Sequence, residues 1–287
     1  MCMRKNLRTL IVSAGVVFGL LAASAKADHH EILISEVYPG TVACPGCAFV
    51  ELQMHSSGQK FLDGHYIVVY NDGGASVTPP LTMDSDVANG QNNRHILLGD
   101  SSVSGRDFTA DIGGDVDPDG GAVCFHSTVF GAIDCVAWGS YMALAPPSPV
   151  GTPQLAIPDG WSIFRRLDRS GCATFLEASD DSNNSSADFG FLTAPDPRNN
   201  AAPVTGACPN TRFTKKPRKK TTKRKAVFRF KARPAAESFA CKLDSARFFR
   251  SCGSPYKKRV KLGKHVFKVK AAGELKPATY RWKVVRR

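Results

Sequence analysis

Helical periodicity is nearly absent from this chain of 287 residues, whose apolar residues come in short runs bounded by Gly, Pro, Asn and Asp. The runs include Ile32-Leu33-Ile34-Ser35-Glu36-Val37-Tyr38, Ala48-Phe49-Val50-Glu51-Leu52, Tyr66-Ile67-Val68-Val69-Tyr70, His95-Ile96-Leu97-Leu98, Gly121-Ala122-Val123-Cys124-Phe125 and Ile133-Asp134-Cys135-Val136-Ala137-Trp138. Many short strands separated by turn signals predict a β-sandwich or barrel. The proline-rich stretch from Ala145 to Pro158 then reads as an ordered loop or an excursion between strands.

Charge divides the chain. Arg212 to Arg287 holds 27 Lys/Arg against 3 Asp/Glu, a net +24, whereas Asp28 to Thr211 holds 7 against 22, a net −15. Such asymmetry predicts an acidic module joined to one that seeks polyanions.

Met1 to Ala27 has a basic start (Arg4, Lys5, Arg8), an apolar run from Leu10 to Ala23, and Ala25-Lys26-Ala27 with small residues at the two positions a signal peptidase reads. This predicts a cleaved export signal, 1–27, and a secreted, extracellular or cell-surface product. The apolar run is short of the roughly 20 residues that span a bilayer, and nothing comparable follows, so no integral membrane segment is expected after cleavage. A mature terminus of Asp28-His29-His30 has the residue order that binds Cu(II) or Ni(II) through a free amine and a third-position histidine; a polar, unstructured end is the plainer reading.

Beyond the leader remain Cys44, Cys47, Cys124, Cys135, Cys172, Cys208, Cys241 and Cys252. An even number in an exported chain predicts disulfides. The short intervals favour Cys124 with Cys135 and Cys241 with Cys252, and the favoured remainder is Cys44 with Cys47 and Cys172 with Cys208. Cys44-Pro-Gly-Cys47 interrupts two β-type runs and has no second CxxC, which argues against a redox dithiol or a zinc site.

The order of motifs from Glu31 to about Pro203 resembles the lamin-tail domain of exported bacterial proteins. The residues that carry the likeness are Ile34-Ser35-Glu36-Val37-Tyr38, Phe49-Val50-Glu51-Leu52, Asp63-Gly64-His65-Tyr66, Gly120-Gly121-Ala122-Val123, Gly160-Trp161-Ser162-Ile163-Phe164-Arg165-Arg166 and the stretch from Asp180 to Phe189. Gln53-Met54-His55-Ser56-Ser57 replaces the usual asparagine-proline turn, and the cysteines are additional. The resemblance implies an immunoglobulin-like β-sandwich that binds or tethers, with a protein partner for that domain.

Lys215-Lys216-Pro217-Arg218-Lys219-Lys220-Thr221-Thr222-Lys223-Arg224-Lys225 contains no apolar residue and reads as a solvated linker, 206–224, after a first domain of 28–205. From 225 to 287 apolar and basic residues alternate, as in Ala226-Val227-Phe228-Arg229-Phe230 and His265-Val266-Phe267-Lys268-Val269-Lys270, which gives each strand one buried and one basic face. Phe228, Phe230, Phe267, Tyr280 and Trp282 fall at alternating positions better explained as core than as exposed platforms for stacking bases. This segment resembles the small immunoglobulin-like or fibronectin-III-like repeats of bacterial surface proteins. The resemblance implies a disulfide from Cys241 to Cys252. The expected fold is therefore all-β, with two immunoglobulin-like β-sandwich domains, disulfide-stabilised and joined by a basic linker.

For polyanion binding the candidate residues are Lys215, Lys216, Arg218, Lys219, Lys220, Lys223, Arg224, Lys225, Lys257, Lys258 and Arg259, whose cations would displace counterions from phosphates or carboxylates. An anionic cell-envelope polymer is favoured as partner over extracellular nucleic acid. No cofactor is expected. Asp115, Asp117 and Asp119 resemble the opening of a calcium loop, but position twelve, counted from Asp115, is His126 rather than Glu, which favours an acidic turn. His55, His65, His95 and His126 are scattered, and no Ser lies in a nucleophile elbow. The expectation is a non-catalytic binding or tethering protein. The alternative is a secreted hydrolase or nuclease accessory protein with a metal-dependent site in the acidic domain.

Overall fold

The computed structural model describes residues 31–142, 149–169, 171–204, 208–236 and 238–286. The expected export signal and the Asp28-His29-His30 terminus lie outside them.

The acidic body consists of β1 (Ile32–Tyr38), β2 (Phe49–Met54), β3 (His65–Asn71), β4 (Leu81–Thr82), β5 (His95–Gly99), β6 (Phe108–Thr109), β7 (Gly120–Ser127), β8 (Gly131–Gly139), β9 (Ser162–Arg165), a single helical turn α1 (Ser185–Asp188) and β10 (Phe189–Leu192). Among the described residues these strands form a six-stranded sheet, β10-β9-β1-β2-β5-β6, and a four-stranded one, β4-β3-β7-β8. Alternation explains how the layers meet: Val50, Leu52 and Met54 of β2 and Ile96 and Leu98 of β5 share one core with Ile67, Val69, Val123, Phe125, Val136 and Trp138 of the other sheet. The second side of β7 and β8 is covered as well, by Tyr141 and Val150.

The basic region consists of β11 (Asn210–Lys215), β12 (Lys220–Thr221), β13 (Lys225–Arg233), β14 (Phe239–Leu243), β15 (Arg250–Cys252), β16 (Tyr256–Arg259), β17 (Gly263–Ala271) and β18 (Ala278–Val284). Its described strands make a three-stranded sheet, β11-β13-β16, and a five-stranded one, β12-β18-β17-β14-β15. Phe228, Phe230, Phe267, Tyr280 and Trp282 are all buried between them, as the alternation predicts. Phe228 stacks on Phe267 at 4.2 Å between ring centroids and meets Trp282 edge-on at 5.2 Å.

The expected linker of 206–224 is corrected: its described part supplies two strands to the second domain. Asn210–Lys215 pairs antiparallel with β13, and Lys220–Thr221 pairs in parallel with β18. Phe213 reaches the core, with its ring 5.7 Å from Phe228 and 6.1 Å from Tyr280. Edge strands need only backbone partners: Lys283 N–H donates to the Lys219 carbonyl at 2.8 Å and Val285 N–H to the Thr221 carbonyl at 2.9 Å, while the lysines remain in water.

Disulfides join Cys44 to Cys47, Cys124 to Cys135 and Cys241 to Cys252. Cys124 and Cys135 are direct cross-strand partners on β7 and β8. The fourth expected pair is assembled without being bonded: Cys172 and Cys208 are thiols in hydrogen-bond contact. Burial, Cys172 and the charges of Glu177 and Glu274 push the Cys208 thiol up to about 12, which disfavours the thiolate that disulfide formation requires.

The two domains meet near these thiols. Ala173 N–H donates to the Gly273 carbonyl at 2.9 Å and Leu275 N–H to the Gly171 carbonyl at 2.9 Å, so a short piece of the body pairs with the turn between β17 and β18. Glu274, in the same turn, accepts from Thr211 N–H at 3.1 Å and Ala271 N–H at 3.0 Å. No described helix is long and apolar enough to cross a membrane.

Candidate polyanion interface

The chain leaves one sheet of the basic domain at Lys215 and enters the other at Lys220, and a groove of about 760 Å³ lies along this crossing. Lys215, Lys216, Arg218, Lys220, Lys223 and Lys225 line it, with Thr221 and Thr222 hydroxyls beside them. The rim is held in place from within. The Tyr280 hydroxyl donates to the Pro217 carbonyl at 2.7 Å, and the Lys216 ammonium lies 4.8 Å from the centre of the Tyr280 ring.

Six of the eleven sequence candidates therefore share one concave surface. Lys219 and Arg224 are absent from its lining, and Arg224 Nε instead donates to the Val260 carbonyl at 3.0 Å. Lys257, Lys258 and Arg259 lie on β16, an edge strand, where Arg259 sits opposite Lys225 and Lys257 opposite Val227. Lys258 faces Ala226, which is buried, and is itself exposed.

Nothing within the described structure neutralises these cations. Among the described residues, no Lys or Arg between 208 and 286 is ion-paired with a carboxylate; the region's ion pair joins His265 to Asp244 at 2.8 Å. Glu274 is turned inward onto Thr211 and Ala271. The acidic body approaches this domain through the backbone seam at 171–173 and leaves the groove uncovered.

A feature absent from the sequence reading lies between β14 and β15. Phe248 is 64% exposed, with the Arg247 guanidinium 5.0 Å from its ring centre, and the neighbouring Phe249 ring is faced by Lys270 at 5.5 Å and Lys242 at 6.0 Å. Period-2 reasoning finds rings that alternate along strands; these two sit on a turn, where that signal does not exist.

The body holds its titratable groups differently. Asp115, Asp117 and Asp119 are exposed on the turn before β7, where the Asp117 carboxylate accepts Asp119 N–H at 2.9 Å. Among the described residues no group of three His, Cys, Asp or Glu side chains is placed to hold a metal ion. The unforeseen cluster is instead on β1 and β2, where a bulge between Ile34 and Glu36 lets Ser35 and Glu36 both reach polar partners. Glu51 accepts from the Ser35 hydroxyl at 2.8 Å and from Arg198 N–H at 2.6 Å, and pairs with His95 Nδ1 at 2.9 Å. Glu36 accepts from the Ser162 hydroxyl at 2.5 Å and from Asp196 N–H at 3.3 Å, and burial pushes its carboxyl up to about 7. Across the core, Asp134 accepts from Ile34 N–H at 2.7 Å and from Arg165 at 2.5 Å. Burial raises the Asp134 carboxyl to about 6 against the opposing pull of Arg165. These contacts occupy the carboxylates with chain closure.

Compared with family models, with curated proteins and with solved structures, the chain matches none.

Proposed function

We propose that this chain is an exported, non-catalytic tethering protein, in which an immunoglobulin-like, lamin-tail-like body is carried by a small basic immunoglobulin-like domain that docks on an anionic cell-envelope polymer. The observation that carries this reading is a groove lined by six Lys/Arg, in a domain whose described cations have no carboxylate partners. Like charges held this closely repel until an external polyanion arrives and its counterions are released. Three disulfides fit folding in an oxidising compartment, and the leader-like residues Met1–Ala27 supply the route there.

An envelope polymer is favoured over nucleic acid because the groove lining carries ammonium, guanidinium and hydroxyl groups and no aromatic ring on which bases could stack. A protein partner of the body is a further part of the reading, resting on the lamin-tail resemblance alone.

The test is retention of the chain lacking Met1–Ala27 on immobilised poly(glycerol phosphate) and on DNA across a salt series. Retention on the phosphate polymer that falls with salt, and falls sooner when Lys216, Lys220 and Lys223 are changed to Gln, is the expected result. Stronger retention on DNA than on poly(glycerol phosphate) would assign nucleic acid as the partner, and no retention on either at low salt would end the docking idea.

A further inference from the structure

The groove accounts for only part of the domain's charge. On the three-stranded sheet, outside the groove lining, Arg212 lies opposite Lys231, and Arg229 and Arg259 lie on the adjoining strands β13 and β16, all exposed. On the five-stranded sheet, also outside the groove lining, exposed Lys264 and Lys283 lie opposite one another, and Lys242 lies opposite Lys268. Each face thus carries like-charged cross-strand neighbours, an arrangement that is destabilising until a counter-charge arrives.

The aromatic core separates the two faces. Stacked sheets lie about 10 Å apart and the cationic side chains of the two faces point away from each other, so a polymer segment lying on one face does not touch the cations of the other. A polyanion on one face leaves the cations of the other unneutralised. The seam with the body involves the turn at Gly273–Leu275, which belongs to neither face.

Resting on the polyanion reading, we infer that the small domain is bivalent: its two outer faces bind two separate segments of phosphate polymer, and one copy of the chain bridges them.

Short poly(glycerol phosphate) oligomers titrated calorimetrically into the chain lacking Met1–Ala27 would give the stoichiometry, and light scattering with long polymer would report bridging. Two oligomers per chain and scattering that rises with protein and falls again in excess protein are expected. Changing Arg212, Arg229 and Lys231 to Gln, or Lys264, Lys268 and Arg281 to Gln, should each leave one oligomer per chain and abolish the scattering. Circular dichroism identifies variants that remain folded. One oligomer per native chain, or loss of all binding in either folded variant, would overturn bivalency while leaving polyanion docking intact. No binding by the native chain at low salt would remove the docking reading itself, and bivalency with it.

Discussion

Glu36 on β1 and Glu51 on β2 are direct register partners, both buried, and each anchors the backbone of the segment that follows β10: Asp196 N–H on Glu36 and Arg198 N–H on Glu51. Burial, and beyond it the neighbouring charge of Glu51, raise the carboxyl of Glu36.

The native carboxyl of Glu36 holds its proton up to about pH 7, whereas an unfolded one releases it near 4.5. Between those values the native state binds more protons, so its contribution to stability is full below about 4.5, declines as pH rises, and levels off above 7. Asp134, raised from 3.8 to about 6, acts in the same sense. Glu36→Gln should stabilise the body above pH 7, by up to about 3 kcal/mol, and flatten its pH dependence. Urea melts at pH 5 and pH 8 measure this, and an unchanged slope with pH would count against it.

Asp134 and Arg165 have 3% and 1% of their side-chain surface exposed, so either one alone is a buried charge. Asp134→Ala should cost roughly 3–5 kcal/mol, and the double variant Asp134→Leu with Arg165→Met should recover much of it. A double-mutant cycle by denaturant unfolding reads the coupling.

Cys172 and Cys208 should remain alkylatable. In the chain lacking Met1–Ala27, unfolded without reductant, mass spectrometry should show two adducts, at these two residues. Before unfolding, Cys208 should react slowly at neutral pH, since the thiolate is scarce. No adducts after unfolding would mean that the pair is oxidised.

Each groove cation that meets a phosphate contributes about 0.7–0.9 to the slope of log affinity against log salt. Changing Lys220 and Lys223 together to Gln should lower that slope by about 1.4–1.8, whereas Arg224→Gln, at a residue bonded to Val260, should lower stability more than slope.

Gly139 sits at φ 59°, where an added Cβ would fall 1.8 Å from the Asp119 carbonyl oxygen. Gly139→Ala should destabilise by more than the roughly 1 kcal/mol of a simple left-handed strain, because backbone has to move. Thermal melting tests it.

The strands were legible because their alternation and bounding turns are local properties, and Phe228, Phe267 and Trp282 fell where that pattern put them. Cys124 and Cys135 were equally readable from their spacing. The charge run was misread because absence of apolar residues argues against a core but not against an edge strand, whose hydrogen bonds come from Lys219 and Thr221 backbone. The carboxylate cluster could not be read, since Glu51, His95 and Arg198 are far apart in sequence and converge only through sheet order. For the groove, composition identified the cations while the crossing between the sheets decided which six converge.

Among the described residues the two domains meet at one place: Cys208 and Thr211, on the basic domain's side, sit beside Cys172 and Glu274, the same residues that border the backbone seam. If the basic domain is fixed to a polymer, drag on the body is carried through the main chain between the domains and through this seam. Among the described contacts, the two backbone hydrogen bonds and the pair of thiols restrain how far the body swings from the surface, and stiffening either would shorten its reach.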